Sequence, residues 1–268
     1  MLKIVFFLLS LFTVAFYGPA QANILITPTQ VVFDDRERFA VVTLANVTNN
    51  TVSYELEWKL FKMTEVKGTY EPVEFAPEYD MSKLVFFAPR RVTLSPKGKQ
   101  KIKLRFSRPS DIPDGDYHVH LKFKSIPVEL DENNQPIEKS LVQVGVKVSY
   151  TIPVVVRIGE AQVTAQIGQI GLDRDQNTGQ LNMRLPVTRG EGATHSILGH
   201  LRIYNDTGNG EEVLVGEISN ANLFPEVRQR VFSIPLKKEV TGGTLRVELR
   251  HFKRDNNFVY AERSFPLQ

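Results

Sequence analysis

LVQVGVKVSYTIPVVVR, residues 141–157, decides the fold. Every even position of this run is apolar: Val142, Val144, Val146, Val148, Tyr150, Ile152, Val154 and Val156. Successive side chains of a strand point to opposite faces, so the alternation is one unbroken apolar stripe on an extended chain. At about 3.3 Å per residue the run is about 50 Å long, well beyond the ~5–6 residues of an ordinary strand. Pro153 lies inside it and cannot donate to a ladder, which marks an edge position or a bulge. Lys147 is the only charge between Leu141 and Val156, whereas soluble proteins blunt long apolar edges with charge. The residues leave two readings open. One is an edge that pairs with another chain; the other is a central strand, bent at Gly145 or Pro153, that serves two cores.

The same alternation fills the rest of the chain in short runs rich in Val, Ile, Phe and Thr, punctuated by Asn, Asp, Gly and Pro. No long stretch keeps helical periodicity. The spacing predicts strands over 24–33, 39–46, 52–61, 84–94, 100–106, 117–126 and 141–157, which fits one immunoglobulin-like sandwich. A second set over 162–170, 180–187, 198–204, 213–218, 227–234, 244–252 and 258–265 predicts another, smaller sandwich. The fold class is therefore all-β with two sandwich domains. The boundary falls near Arg157–Glu160, where Ile158-Gly159-Glu160 interrupts the apolar run, dividing the chain into 23–158 and 159–268. Residues 62–83 form a long connection, and 128–140 (VELDENNQPIEKS) read as a hairpin tip rather than core.

Residues 1–22 read as a cleaved export signal: Lys3, an apolar stretch from Ile4 to Phe16, then Ala20-Gln21-Ala22 as the small-x-small cleavage pattern. That stretch is shorter than the ~18–20 residues that span a bilayer. No second long apolar run follows, so no membrane insertion of the mature chain is expected. Of 33 basic and 30 acidic residues only Lys3 lies in the signal, leaving the mature chain near neutral, a poor match to a nucleic-acid partner. The absence of cysteine excludes thiol catalysis, cysteine metal ligands and disulfides.

Three segments together resemble the PapD-like periplasmic pilus-assembly chaperones. ITPTQVVFDDRERFAVVTLANVTNNTVSYELEW, from residue 26, resembles that family's first three strands. FAPRRVTLSPKGKQKIKLRF, from residue 87, resembles its proline–basic–LxPG–arginine segment. DYHVHLKFKSIP, from residue 116, followed by a long loop and the strand ending IPVVVR, resembles its last two strands. The match covers roughly residues 24–160; the second domain matches only in size and strand count. The resemblance implies two immunoglobulin-like domains in an L shape. It also implies that Val142, Val144, Val146, Val148, Tyr150 and Ile152 are lent as a donor strand to a fimbrial subunit, which then passes to an outer-membrane usher. Two positions depart from the family. Gln30 stands where it has an arginine and Pro153 where it has a lysine, the pair that anchors the subunit's terminal carboxylate. This places the chain closest to archaic or alternative chaperone–usher systems. Arg90 or Arg91 is the expected replacement anchor, and Asp116 with Arg157 the expected salt bridge at the domain junction.

Other signals are weaker. Lys97, Lys99, Lys101, Lys103 and Arg105 put five charges on one strand face, for which a solvated sheet face is preferred over a polyanion site. His118 and His120 share a strand face without a third ligand nearby, so surface histidines are preferred over a metal pair. The Asn-x-Thr triplets at 46, 49 and 205 sit in turn-like sequence. No hydrolase, phosphate-loop or dinucleotide motif occurs, so no catalysis, metal or cofactor is expected. The expected function is a periplasmic subunit chaperone. The rivals are a structural or adhesive sandwich that self-assembles through the same edge and, without a supporting motif, a secreted hydrolase. Five Val or Ile side chains of the stripe buried in a partner set an upper bound of about 8–15 kcal/mol before ordering costs.

Overall fold

A computed structural model describes residues 23–65, 69–74, 80–127, 129–130, 136–137, 148–208, 211–238, 240, 242–253 and 257–267. The expected signal and the expected donor-strand positions Val142, Val144 and Val146 lie outside the described residues.

Among the described residues the first half contains the strands β1 (Ile24–Thr27), β2 (Val31–Phe33), β3 (Phe39–Asn46), β4 (Val52–Lys59), β5 (Phe61–Met63), β6 (Tyr70–Pro72), β7 (Val85–Ala88), β8 (Arg91–Leu94), β9 (Lys99–Phe106), β10 (Gly115–Ile126), β11 (Glu129–Leu130), β12 (Pro136–Ile137) and β13 (Ser149–Ile158). They build two facing sheets, β1-β3-β9-β7 and β2-β13-β10-β4-β8, with β5-β6 and β11-β12 as separate two-stranded ribbons. Between them lies a core that includes Phe33, Leu44, Tyr54, Ile102, Leu121 and Phe123, each no more than 1% exposed. The predicted run 24–33 is split, because the chain leaves one sheet after Thr27 and joins the other at Val31, where β2 pairs with β13 in parallel. The run 84–94 divides in the same way between β7 and β8.

The second half contributes β14 (Ala165–Ile167), β15 (Gly171–Arg174), β16 (Leu181–Arg189), β17 (Gly199–Asp206), β18 (Glu212–Ile218), β19 (Gln229–Pro235), β20 (Gly243–His251) and β21 (Val259–Leu267). Strand β16 is bordered by β14 and β15 on one side and β19 on the other; the second sheet runs β18-β17-β20-β21. Leu185, Leu201, Ile203, Ile234 and Val247 fill the space between them. The chain is thus two β-sandwiches. Strand β15 is wholly exposed and has no apolar alternation, which is why its four residues do not read as a strand.

Strand β13 serves both cores. Ile152, Val154 and Val156 point into the first core, at 4%, 0% and 0% exposure, while Val155 on the other face is buried with the second. The three consecutive valines therefore record a strand covered on both faces. Ile158 ends β13, and Gly159 follows with φ +78°, a conformation that side chains other than glycine's rarely adopt. A Cβ on Gly159 would also stand 2.4 Å from the Asp114 carboxylate.

Candidate functional site

The two halves meet along β10, β13 and the β5-β6 ribbon. Asp116, with its side chain fully buried, takes bonds from Arg157 Nε at 2.9 Å and from a second Arg157 guanidinium nitrogen at 2.7 Å. It also accepts the Ser196 amide at 2.8 Å, while Arg157 donates to the Ser196 carbonyl at 2.9 Å. The Asp116–Arg157 pair is made within one sheet, where the two residues are cross-strand partners, and both reach the second half through Ser196. Burial works against the Arg157 charge, but hydrogen bonding and charge from Asp116 hold it above the usual arginine value. His195 Nε2 donates to the Ile158 carbonyl at 2.9 Å, fixing the chain where it leaves the first sandwich.

Beside this pair lies a cluster that sequence reasoning placed on the surface. His118 and His120 are 1% and 3% exposed, a correction to the surface reading. On β10 the odd positions Val119, Leu121 and Phe123 face the first core, so His118 and His120 face the second half. His118 stacks on Phe224 at 4.1 Å and bonds Glu226 at 3.1 Å, and Glu226 also accepts the Met63 amide at 2.9 Å. Burial alone would raise the Glu226 carboxyl; His118 and the Met63 amide hold it below the usual glutamate value. His120 packs edge-on against Phe61 and Tyr70, and neither ring nitrogen has a hydrogen-bond partner among the described residues. Burial, with a smaller contribution from His118, pushes its pKa down to about 3. Among the described residues no group of three or more His, Asp or Glu is placed to hold a metal.

The cleft lies on the other side of β13. Strand β10 borders the whole of β13, but β2 pairs with it only over Val154–Val156. Ser149–Pro153 therefore have one free edge among the described residues, and Pro153 closes the unpaired stretch. Between that edge and β1 is an open cavity of about 400 Å³, capped by Tyr70 of β6 and by Asn220, Asn222 and Arg230 of the second half. Val148, at the start of this edge, is 39% exposed. Tyr150 is half-buried against the first core, and its hydroxyl accepts the Asn23 amide at 3.1 Å. Ile152 borders the cleft but is 4% exposed and packs with this chain's own core.

Among the described residues the cleft holds one cation without a carboxylate partner, Arg230. Arg230 bonds the Asn222 carbonyl at 2.8 Å and lies 4.4 Å from the Phe232 ring centroid, yet its Nε is buried without a partner among the described residues. No carboxylate pairs with it among the described residues, and burial lowers its pKa against the pull of Tyr70. Burial pushes Tyr70 itself up to about 12. Gln30, 8% exposed, bonds Asn222 at 2.6 Å and leaves its other amide atom buried and unpartnered. Exchanging oxygen and nitrogen in both amides still leaves one donor and one acceptor unused. A half-buried charge and a buried amide donor without a partner are costly, so an anion with acceptor oxygens would satisfy these two groups and leave only the amide acceptor unused.

Arg90 and Arg91 are placed elsewhere. Arg90 lies 5.5 Å from the Phe87 ring, and Arg91, 70% exposed, stands 3.9 Å from Glu55; neither borders the cleft. Arg230 was missed because it sits inside a predicted strand, but a signal was there. It shares strand parity with buried Phe232 and Ile234, a cation on an apolar stripe.

No family model matches the sequence, and no curated protein matches it. Solved structures are similar in overall path. The CupB2 chaperone of Pseudomonas aeruginosa is 11% identical, covering 91% of this chain and 100% of its own, with a TM-score of 0.44. The E. coli chaperone DraB is 15% identical, covering 91% and 98%, with a TM-score of 0.43. The CsuC–CsuE chaperone–tip subunit pre-assembly complex of Acinetobacter baumannii matches at 13% identity, covering 91% and 98%, with a TM-score of 0.44.

Proposed function

We propose that this chain is a periplasmic chaperone, exported by its first 22 residues, that holds fimbrial or pilus subunits by lending them a strand and delivers them to an outer-membrane usher. The observation that supports it most is the partial pairing of β13. Strand β2 covers Val154–Val156, while Ser149–Pro153 border an open cleft and the apolar alternation continues in sequence to Val142. An incoming strand adds to the free edge through main-chain bonds, and alternate side chains enter its pockets. With Ile152 kept in the chaperone's own core, the lent set is Val142, Val144, Val146, Val148 and, in part, Tyr150. Four valines at ~1.5–3 kcal/mol each give an upper bound of about 6–12 kcal/mol before ordering costs. No cofactor or reaction is needed. In this reading Arg230, rather than Arg90 or Arg91, receives a terminal carboxylate at the inner end of the cleft, with Gln30 and Asn222 beside it.

The test is co-purification. Val146→Asp and Val148→Asp each put a charge into the partner's apolar groove, which costs far more than a lost methyl contact. Each variant is expected to keep the wild-type circular dichroism spectrum and to lose its bound subunit. Lys147→Ala, on the opposite strand face, is expected to retain it. Folded Asp variants that still carry the subunit would show that binding lies elsewhere. The self-assembling alternative predicts that the protein recovered with this chain is another copy of it.

A further inference from the structure

We infer that the outer face of the β1-β3-β9-β7 sheet is a docking surface for an anionic lipid bilayer. Strand β9 turns Lys99, Lys101, Lys103 and Arg105 outward, with Ile102, Leu104 and Phe106 buried behind them. The register sets apolar side chains on both flanks. Phe39 and Phe86 lie on either side of Arg105, and Val41 and Ala88 on either side of Lys103. Phe39 is 75% exposed, Phe86 53% and Val41 46%, and the Arg105 guanidinium is 6.0 Å from the Phe86 ring centroid. No outward position of the four strands carries Asp or Glu.

The opposite face of the same sandwich serves as an internal control. There Lys122 pairs with Glu57 at 3.4 Å, Lys124 with Glu55 at 3.9 Å and Arg91 with Glu55 at 3.9 Å. A merely solvated sheet face would resemble that one, with cations interleaved with carboxylates and polar neighbours. On the β9 face the cations have no ion-pair partner among the described residues, and their cross-strand neighbours are aromatic or aliphatic except for Thr43 beside Lys101. Unpaired cations in a row attract an anionic surface, and protruding phenylalanines favour its acyl boundary. The apolar side chains of Phe39, Val41 and Phe86 project outward from this four-stranded sheet instead of lining a groove. That geometry suits a bilayer, which needs no matching pocket, better than a folded protein, which does. This surface is separate from the cleft and stands whether or not the chaperone reading holds.

The test uses the chain as processed by the cell, with its N-terminus established by intact mass, sedimented with vesicles. Binding is expected to vesicles of phosphatidylcholine with a third phosphatidylglycerol, to weaken steeply with added salt, and to be absent with phosphatidylcholine alone. Each cation near an anionic leaflet is worth roughly fivefold in partitioning. Lys101→Glu/Lys103→Glu is therefore expected to lose at least about 25-fold, and Phe39→Ser/Phe86→Ser to lose binding while keeping the native circular dichroism spectrum. Lys124→Glu, on the opposite face, is expected to bind as wild type. No binding to anionic vesicles, equal binding to both compositions, unchanged binding of the β9 variants, or binding only to poly-glutamate would each overturn the inference.

Discussion

Replacing Asp116 with alanine removes the acceptor on which the domain junction converges. Its side chain is fully buried and Arg157's is 12% exposed, so the substitution leaves a guanidinium in a low-dielectric site with the Ser196 carbonyl and the Tyr260 hydroxyl as partners but no carboxylate from Asp116. It also strands the Ser196 amide, whose residue is 0% exposed. Breaking a buried pair from one side costs about 3–5 kcal/mol, and we expect Asp116→Ala to fall in that range. Asp116→Ala/Arg157→Met removes the abandoned charge as well, so the double variant should be about 1–3 kcal/mol more stable than the single one. Urea unfolding resolves this. Trp58 is the only tryptophan and lies in β4, so its fluorescence reports the first sandwich while far-ultraviolet circular dichroism reports both. The two signals should coincide in the wild type and separate in Asp116→Ala, whose junction is weakened. A single variant within about 1 kcal/mol of wild type, or a double variant as unstable as the sum of the two singles, would refute this account of the junction.

Acidification should loosen the same junction through His120. The native site keeps its ring neutral down to about pH 3, whereas the unfolded chain takes up the proton below about 6.5. Stability is therefore full above pH 6.5 and falls by about 1.4 kcal/mol per unit as pH drops toward 3. Glu226 adds its own loss only below about pH 4.5, since its folded value is depressed. Thermal melts between pH 7 and pH 5 should show the drop in wild type and a smaller one in His120→Phe; equal slopes would exclude His120 as the cause. For the cleft, a peptide matching the C-terminus of the co-purified subunit should bind about tenfold more tightly as free acid than as amide. Arg230→Met should abolish that preference in a calorimetric titration, while Arg90→Ala and Arg91→Ala preserve it. A preference that survives in Arg230→Met would remove Arg230 from the site.

Much of the fold was legible because each strand covers one face and leaves the other to solvent or a neighbour. Phe39–Asn46 is recovered to the residue, and most other strands lie within two or three residues of their predicted ends. Legibility failed where one strand answers to two environments. The run 24–33 reads as a single strand because both pieces are apolar, but only the fold shows that β1 and β2 belong to different sheets. His118 and His120 read as surface residues because polar positions opposite an apolar stripe ordinarily are; here the second half covers them. At the cleft, the departure of Gln30 and Pro153 from the pattern of the family that the sequence resembles was visible in the sequence. Arg230 approaches from a strand some 200 positions later, and no local pattern announces that proximity. Ile152 belongs to the same periodic stripe as Val148, yet depth in the sandwich, which periodicity does not encode, assigns it to this chain's own core.

The central claim is that the edge beginning at Val148 is occupied by a different, smaller chain. Because the protein has no cysteine, Val148→Cys supplies a unique thiol at a 39% exposed position, to which a photo-crosslinker can be attached in material carrying its native partner. Mass spectrometry of the captured product should identify a fimbrial subunit crosslinked to this position. Capture of another copy of this chain, or of nothing while the partner remains bound, would contradict the account.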